Sequence, residues 1–313
     1  MSGSSSEVIK SLIVNVVIAC SKGVAAVITG SGSMLAETLH SFSDCGNQIL
    51  LLIGIKQSSR PPDAKYPFGY GRNMYFYSFI VALLLFTAGG MFSIYEGVHK
   101  MLDPEEVGDI KVAMVILAIS ISLEGWSTLG NIKEMNKRRG TMPFITYIKE
   151  SKDSDLIVVF GENSAAVLGL IFAGAAIFLA KVTEDGRWDA AGSIMIGGVL
   201  VGVAIFLGRE IKGLLVGEAA DPRLAQVVAE LATASVHVEK VVQVLSVQQG
   251  PGEILVAMKL KFASSLTCDA LVDAINDFER DLRARVPEAK WCFIEPDREI
   301  ADDDVGAHGA VVG

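Results

Sequence analysis

Apolar residues in this chain come in blocks of about twenty, and between the blocks the sequence turns abruptly polar. At about 1.5 Å per residue such a block crosses a hydrocarbon core about 30 Å thick, so each predicts a membrane-spanning helix. Six stretches qualify: Val8 to Thr29, Met34 to Ile55, Asn73 to Val98, Lys111 to Asn131, Asp155 to Ala180 and Ala190 to Val216. None reads as a cleavable signal peptide, which needs a charged start, a short apolar centre and a small-residue cleavage site in that order.

The pattern changes after Gly217. A helix is expected near Pro222 to Ala234, a strand near Val241 to Val247, a turn at "QGPGE", and a strand near Ile254 to Phe262. A second helix follows near Cys268 to Val286, with Leu271, Val272, Ile275, Phe278, Leu282 and Val286 on one side, and a last strand near Trp291 to Glu295. Helical and strand periodicities in that order predict a small αββαβ layer. So small a layer buries little core, which implies a partner surface. The chain thus divides into a six-span domain (1–216), a soluble domain (217–300) and an acidic tail (301–313) too aperiodic to fold.

Composition agrees with a membrane protein: 51% of residues are hydrophobic and mean hydropathy is +0.44. Lysine and arginine set the orientation. The second-to-third connection holds Lys56, Arg60, Lys65 and Arg72, and the fourth-to-fifth holds Lys133, Lys137, Arg138, Arg139, Lys149 and Lys152. Both are expected in the cytoplasm, and with six spans both termini join them. The net charge is −9, and residues 217–313 carry 17 acids against 9 bases. That acidic balance predicts no nucleic-acid partner. The four cysteines, Cys20, Cys45, Cys268 and Cys292, lack CxxC spacing and read as reduced, buried thiols.

The chemistry lies in a segment that ought to be plain. Within the second apolar run, "AETLHSFSDCGNQ" puts residues 37, 40, 41, 44, 47 and 48 on one helical stripe. Ionisable groups inside spans are costly unless paired or solvated, and here they are few: Lys22, Glu37, His40, Asp44, Glu124 and Glu162. His40 and Asp44 stand four apart, so their nitrogen and oxygen can both reach about 2.0–2.2 Å from one Zn²⁺. Glu162, at similar depth in the fifth run, offers a third ligand, and Asn163 an amide oxygen or a supporting hydrogen bond. The plainer account is interhelical glue, which suits Asn15, Asn47, Gln48 and Glu124 better than it suits His40 with Asp44. Lys22 suits a counter-ion to a neighbouring carboxylate. Glu37 is open between glue, a vestibule charge and an auxiliary ligand.

With these residues in place, the chain resembles the cation diffusion facilitators, the zinc-transporter family of secondary metal exporters. The resemblance rests on "TGSGSMLAETLHSFSDCGNQILLLIGI", "YPFGYGRNMYFYSFI" and "WDAAGSIMIGGVLVGVAIFLGREIKGLLVGEAADP", which span nearly the whole chain. The "LHS-x-x-D-x-x-NQ" run is most similar to the subgroup containing the mitochondrial zinc transporters. The resemblance implies a homodimer of six-span subunits with a cytoplasmic ferredoxin-like domain. It further implies four transport ligands, two from the second span and two from the fifth, and counter-transport of protons. Matched residue by residue, the second-span pair is His40 and Asp44. In the fifth span only Glu162 or Asn163 matches, because Val158 or Val159 stands one turn earlier and cannot bind metal. The expected site is therefore His40, Asp44 and Glu162, completed by Asn163 or water.

The cytoplasmic loop keeps Asp63, a possible auxiliary ligand, but sets Tyr66 and Tyr70 where relatives carry imidazoles. Arg72 matches a hinge position, answered by Glu218 or Glu210. His237 stands alone before the tail, so a His-rich cluster is not expected in the C-terminal domain, although Glu295 and Asp297 offer weak ligands. These readings combine into proton-driven export of a divalent cation, zinc by ligand type, with Mn²⁺, Fe²⁺ or Co²⁺ open to the same donors. The ion is cargo, and no cofactor is expected. An enzyme is disfavoured, because the chain has no HExxH or comparable catalytic pair; a membrane metal sensor or scaffold is the remaining rival. A bacterial inner membrane is the expected location.

Overall fold

The computed structural model describes residues 2–104, 108, 110–150 and 154–297. The expected tail at 301–313 lies outside them. Two compact units emerge. One is helical; the other joins the loop Gln57–Met74 to the chain from Gly213 onward.

The helical unit begins with α1 (Ser2–Thr29) and α2 (Gly32–Ser58). Their junction is tight because Gly30 adopts φ +66°, a conformation that disfavours side chains. Its N–H donates to the Ala26 carbonyl at 2.9 Å, closing α1 in the manner of a helix C-terminus. Next come α3 (Asn73–Leu84), a π-helical turn at Leu85–Met91, and α4 (Phe92–Leu102), which make one continuous rod. α5 (Lys111–Arg139), the short α6 (Phe144–Glu150), α7 (Ser154–Thr183) and α8 (Arg187–Val216) complete the unit.

Small residues decide how the α4 rod meets α8. A Cβ on Gly90 would lie 2.6 Å from Val201, and one on Gly197 would lie 2.7 Å from both the Gly90 carbonyl and Ile94. Gly97 similarly meets Ile194 at 2.6 Å and the Ala190 carbonyl at 2.8 Å. Backbones pack this closely only where side chains are missing, which is how helices associate without a hydrophobic drive between them. The Gly89-Gly90 pair also sits in the π turn, where the helix ladder is locally widened.

Long apolar faces point outward, as at Val27 (85% exposed) and Trp126 (82% exposed), where lipid can cover them. This is a helical, multi-pass membrane protein. Among the described residues, four helices are long and apolar enough to cross a membrane: Asn73–Leu102, Lys111–Arg139, Val159–Thr183 and Arg187–Val216. The six expected spans thus become four by length and hydropathy. Asn15–Thr29 is apolar but shorter, and the 27 residues of α2 include the polar stripe. Both nevertheless form helices where spans were expected.

The second unit contains α9 (Arg223–Ala234), β1 (Val238–Gly250), β2 (Glu253–Phe262), α10 (Cys268–Arg285) and β3 (Ala289–Pro296). β2 is central, antiparallel to β1 and parallel to β3. Its even-numbered residues from Ile254 to Phe262 are buried and join Leu224, Val228, Leu231, Phe278 and Leu282 in one core. Thr267 caps α10 by accepting from the Ala270 N–H at 3.3 Å, and Arg283 and Arg285 in the last turn suit the negative end of the helix dipole. On the opposite face of the sheet, Phe68 from the loop packs edge-on against Trp291 and Phe293. A Cβ on Gly71 would lie 2.5 Å from the Gln249 carbonyl, so loop and hairpin meet backbone to backbone.

The Asp63 carboxylate accepts from the Lys65 and Tyr66 N–H groups at 2.9 and 2.8 Å and from the Tyr70 hydroxyl at 2.5 Å. It is tied within its own turn, with Tyr70 foremost in holding its carboxyl below the ordinary range. The Arg72 guanidinium lies beside Gly217, which precedes Glu218. Lys259 reaches Glu295 at 3.4 Å and Asp297 at 3.2 Å, so the two weak candidate ligands hold a lysine between them.

Candidate functional site

α2 carries the site, and each turn of its polar stripe meets a different neighbour. Glu37 is fully buried and pairs with Lys22 of α1 at 3.1 Å, while the same ammonium donates to Ser41 at 2.8 Å. In this arrangement Glu37 forms an ion pair with Lys22, supplying the neighbouring carboxylate expected for that lysine. Its second oxygen occupies the space that a Cβ on Gly169 of α7 would fill. One turn on, His40 is fully buried and both ring nitrogens are without a hydrogen-bond partner. Its Nδ1 lies 3.5 Å from Asp44 Oδ1, too far for a good hydrogen bond but in keeping with two groups facing one small volume. Beyond Asp44, the Asn47 amide donates to Glu162 of α7 at 2.8 Å.

Glu162 is thus brought to the stripe. Asp44 lies within electrostatic reach of it and of Glu124 on α5. Asn163 is placed differently: its amide donates to Ser127 of α5 at 3.3 Å. Among the described residues, no three His, Cys, Asp or Glu side chains converge tightly enough to hold a metal ion in this arrangement. The donor chemistry nonetheless fits one. His40 Nδ1 and Nε2, Asp44 Oδ1, Asn47 Oδ1 and Gln48 Oε1 are buried acceptors or potential acceptors without partners. Buried polar atoms are nearly always satisfied, so such a concentration on two helical turns suits a cation.

Periodicity within α2 could not reveal two features. Glu124 reads as one more isolated intramembrane acid, yet it lies within electrostatic reach of His40, Asp44 and Lys22. Asp189, at the third position of α8, is 2% exposed and faces the start of α2. Its only sequence sign is an acid at the threshold of an apolar run.

Known proteins resemble this chain along most of its length. A family model described as the cation efflux transmembrane domain matches residues 8–216. The human mitochondrial proton-coupled zinc antiporter SLC30A9 is 31% identical over 292 residues, covering 91% of this chain and 51% of that protein. Metal tolerance protein C4 of Arabidopsis thaliana is 32% identical over 237 residues, 75% of this chain and 52% of its own. Magnetosome protein MamB of Magnetospira sp. (strain QH-2) is 27% identical over 183 residues, 56% of this chain and 61% of its own. The chain spans about half the length of the antiporter and the tolerance protein. The antiporter is named as mitochondrial, so the bacterial inner membrane expected from the sequence gains no support from it.

Proposed function

The chain belongs to the cation efflux family, and from that premise we propose that it exports divalent metal cations from the cytoplasm in exchange for protons, with zinc as the preferred ion. One observation carries the reading. His40 and Asp44 are four apart on α2, 3.5 Å from each other, with partnerless donor atoms beside an acid held on α7. The transport set is His40, Asp44 and Glu162. Asn47 holds Glu162 in place, and Asn163, turned toward α5, joins only if its side chain rotates.

Proton coupling follows from the donors. Imidazole has a reference pKa of about 6.5 and binds metal only when neutral, so protons and the ion compete for the same atoms. Protons entering from the more acidic side displace the ion. The oxygen-rich surroundings also admit Mn²⁺, Fe²⁺ or Co²⁺, and selectivity then rests on geometry rather than on intrinsic affinity order.

In this reading six helices span the bilayer: α1, α2, the α3–α4 rod, α5, α7 and α8. Both termini are cytoplasmic, the αββαβ layer is a ferredoxin-like domain, and two copies form a homodimer. Arg72 and the segment at Glu218 form a hinge in the loop-and-sheet unit, and Asp63 braces its own loop rather than a metal. The relatives' names favour an organellar membrane.

The test is flux into liposomes that contain a zinc dye, under an imposed pH gradient. Wild type is expected to move zinc, and His40→Ala and Asp44→Ala each to reduce flux at least about 100-fold, since each removes a ligand outright. Intact flux in both variants would refute the site. A wild type that moves no divalent ion would refute the function.

A further inference from the structure

The stripe on α2 is fastened at three levels, and the uppermost fastening lies outside the transport set. Asp189 of α8 accepts hydrogen bonds from the start of α2: Ser31 Oγ at 2.7 Å, the Gly32 N–H at 2.5 Å, the Ser33 N–H at 3.3 Å and the Ser33 hydroxyl. Ser31 in turn accepts from the Met34 N–H at 3.1 Å. The first three amides of α2, which have no partners within the helix, are thus all satisfied, two of them by a carboxylate from another helix. A negative charge there also complements the helix dipole. Asp189, Ser31 and Ser33 are all essentially buried, so no water competes.

We propose that Asp189 is a positioning residue for the metal site, setting the depth and rotation of α2 and so the placing of His40 and Asp44. Ser33, Glu37, His40 and Asp44 share one face of a continuous helix. Seven residues from Ser33 to His40 are two turns, about 10.5 Å of rigid rod. Asp189 pins this face to α8, Lys22 pins it to α1, and Asn47 pins it to α7. The His40 ring has no hydrogen bond of its own to orient it. Its position is inherited from the helix that bears it, and the Asp189 contacts fix one end of that helix.

The proposal builds on the metal-transport reading, but its decisive measurement does not require transport. Zinc affinity of the full chain in detergent is measured by competition with a fluorescent chelator, alongside thermal stability and liposome flux. Asp189→Asn keeps the shape but turns an amide donor toward donors, and should weaken zinc binding about tenfold, as loss of supporting contacts around metal ligands does. Ser33→Ala removes one of the four contacts and should weaken it about threefold. Affinities within twofold of wild type for both variants, even with lowered thermal stability, would mean the contacts only hold the fold together, and the proposal fails. If Asp189→Asn does not fold, Ser33→Ala decides. A wild type that binds zinc without moving it overturns transport and leaves Asp189's role standing; a wild type that binds no zinc overturns both.

Discussion

At the scale of single residues, the buried pair Lys22–Glu37 most clearly combines structure with chemistry. Two charges with no solvent exposure persist because each answers the other and Ser41 adds a hydrogen bond. Removing one partner strands the other, so Lys22→Met or Glu37→Leu alone should cost about 3–5 kcal/mol. The double variant should recover most of that loss, read as thermal or denaturant unfolding of the full chain in detergent. If the two losses simply add, the pair is not coupled. Sequence spacing placed both residues in spans and suggested counter-ion duty for Lys22. It could not choose among three roles for Glu37, because that choice depends on α1 and on Gly169 of α7, which are remote in sequence.

At the scale of elements, the loop Gln57–Met74 is organised by its own side chains and by the sheet. Asp63 draws three donors into one turn. Its carboxyl is held below the ordinary range, so the folded pKa is the lower one. Ordering of the turn should therefore be complete above the unfolded value of about 3.9 and should fade as pH falls through the folded value. Hydrogen exchange in the peptide covering Lys65 and Tyr66, corrected for intrinsic rate, should show protection at pH 6 and lose it only as pH falls below the unfolded carboxyl value. Tyr70→Phe should move that loss to higher pH; an unmoved midpoint would show that Tyr70 is not the main cause. Helices and strands here were largely legible from periodicity: all six long apolar runs are helices, and the αββαβ order stands. The π turn at Leu85–Met91 and the short α6 were not, because the first lies inside one unbroken apolar run and the second has too few residues to show a period.

At the scale of the whole molecule, the candidate site could be read only one helix at a time. His40 and Asp44 lie on one helix, so spacing alone paired them, and Glu162 was matched by depth. Asn163 was named as a candidate ligand, but its turn toward Ser127 and the reach of Asp189 to α2 both depend on helix-to-helix rotation, which no single-helix pattern encodes. The salt-bridged end of the sheet bears on the sensor reading. Lys259 spans Glu295 and Asp297, and its ammonium is held above its ordinary range by both, Asp297 first. These carboxylates already have their cation, and it is covalently tethered. In calorimetric titration of the full chain, His40→Ala/Asp44→Ala should therefore abolish the zinc heat that wild type gives, whereas Lys259→Ala in that background should restore a weak one. With those heats the C-terminal layer would be deaf to the ion, and a response to metal supply would have to begin at His40 and Asp44.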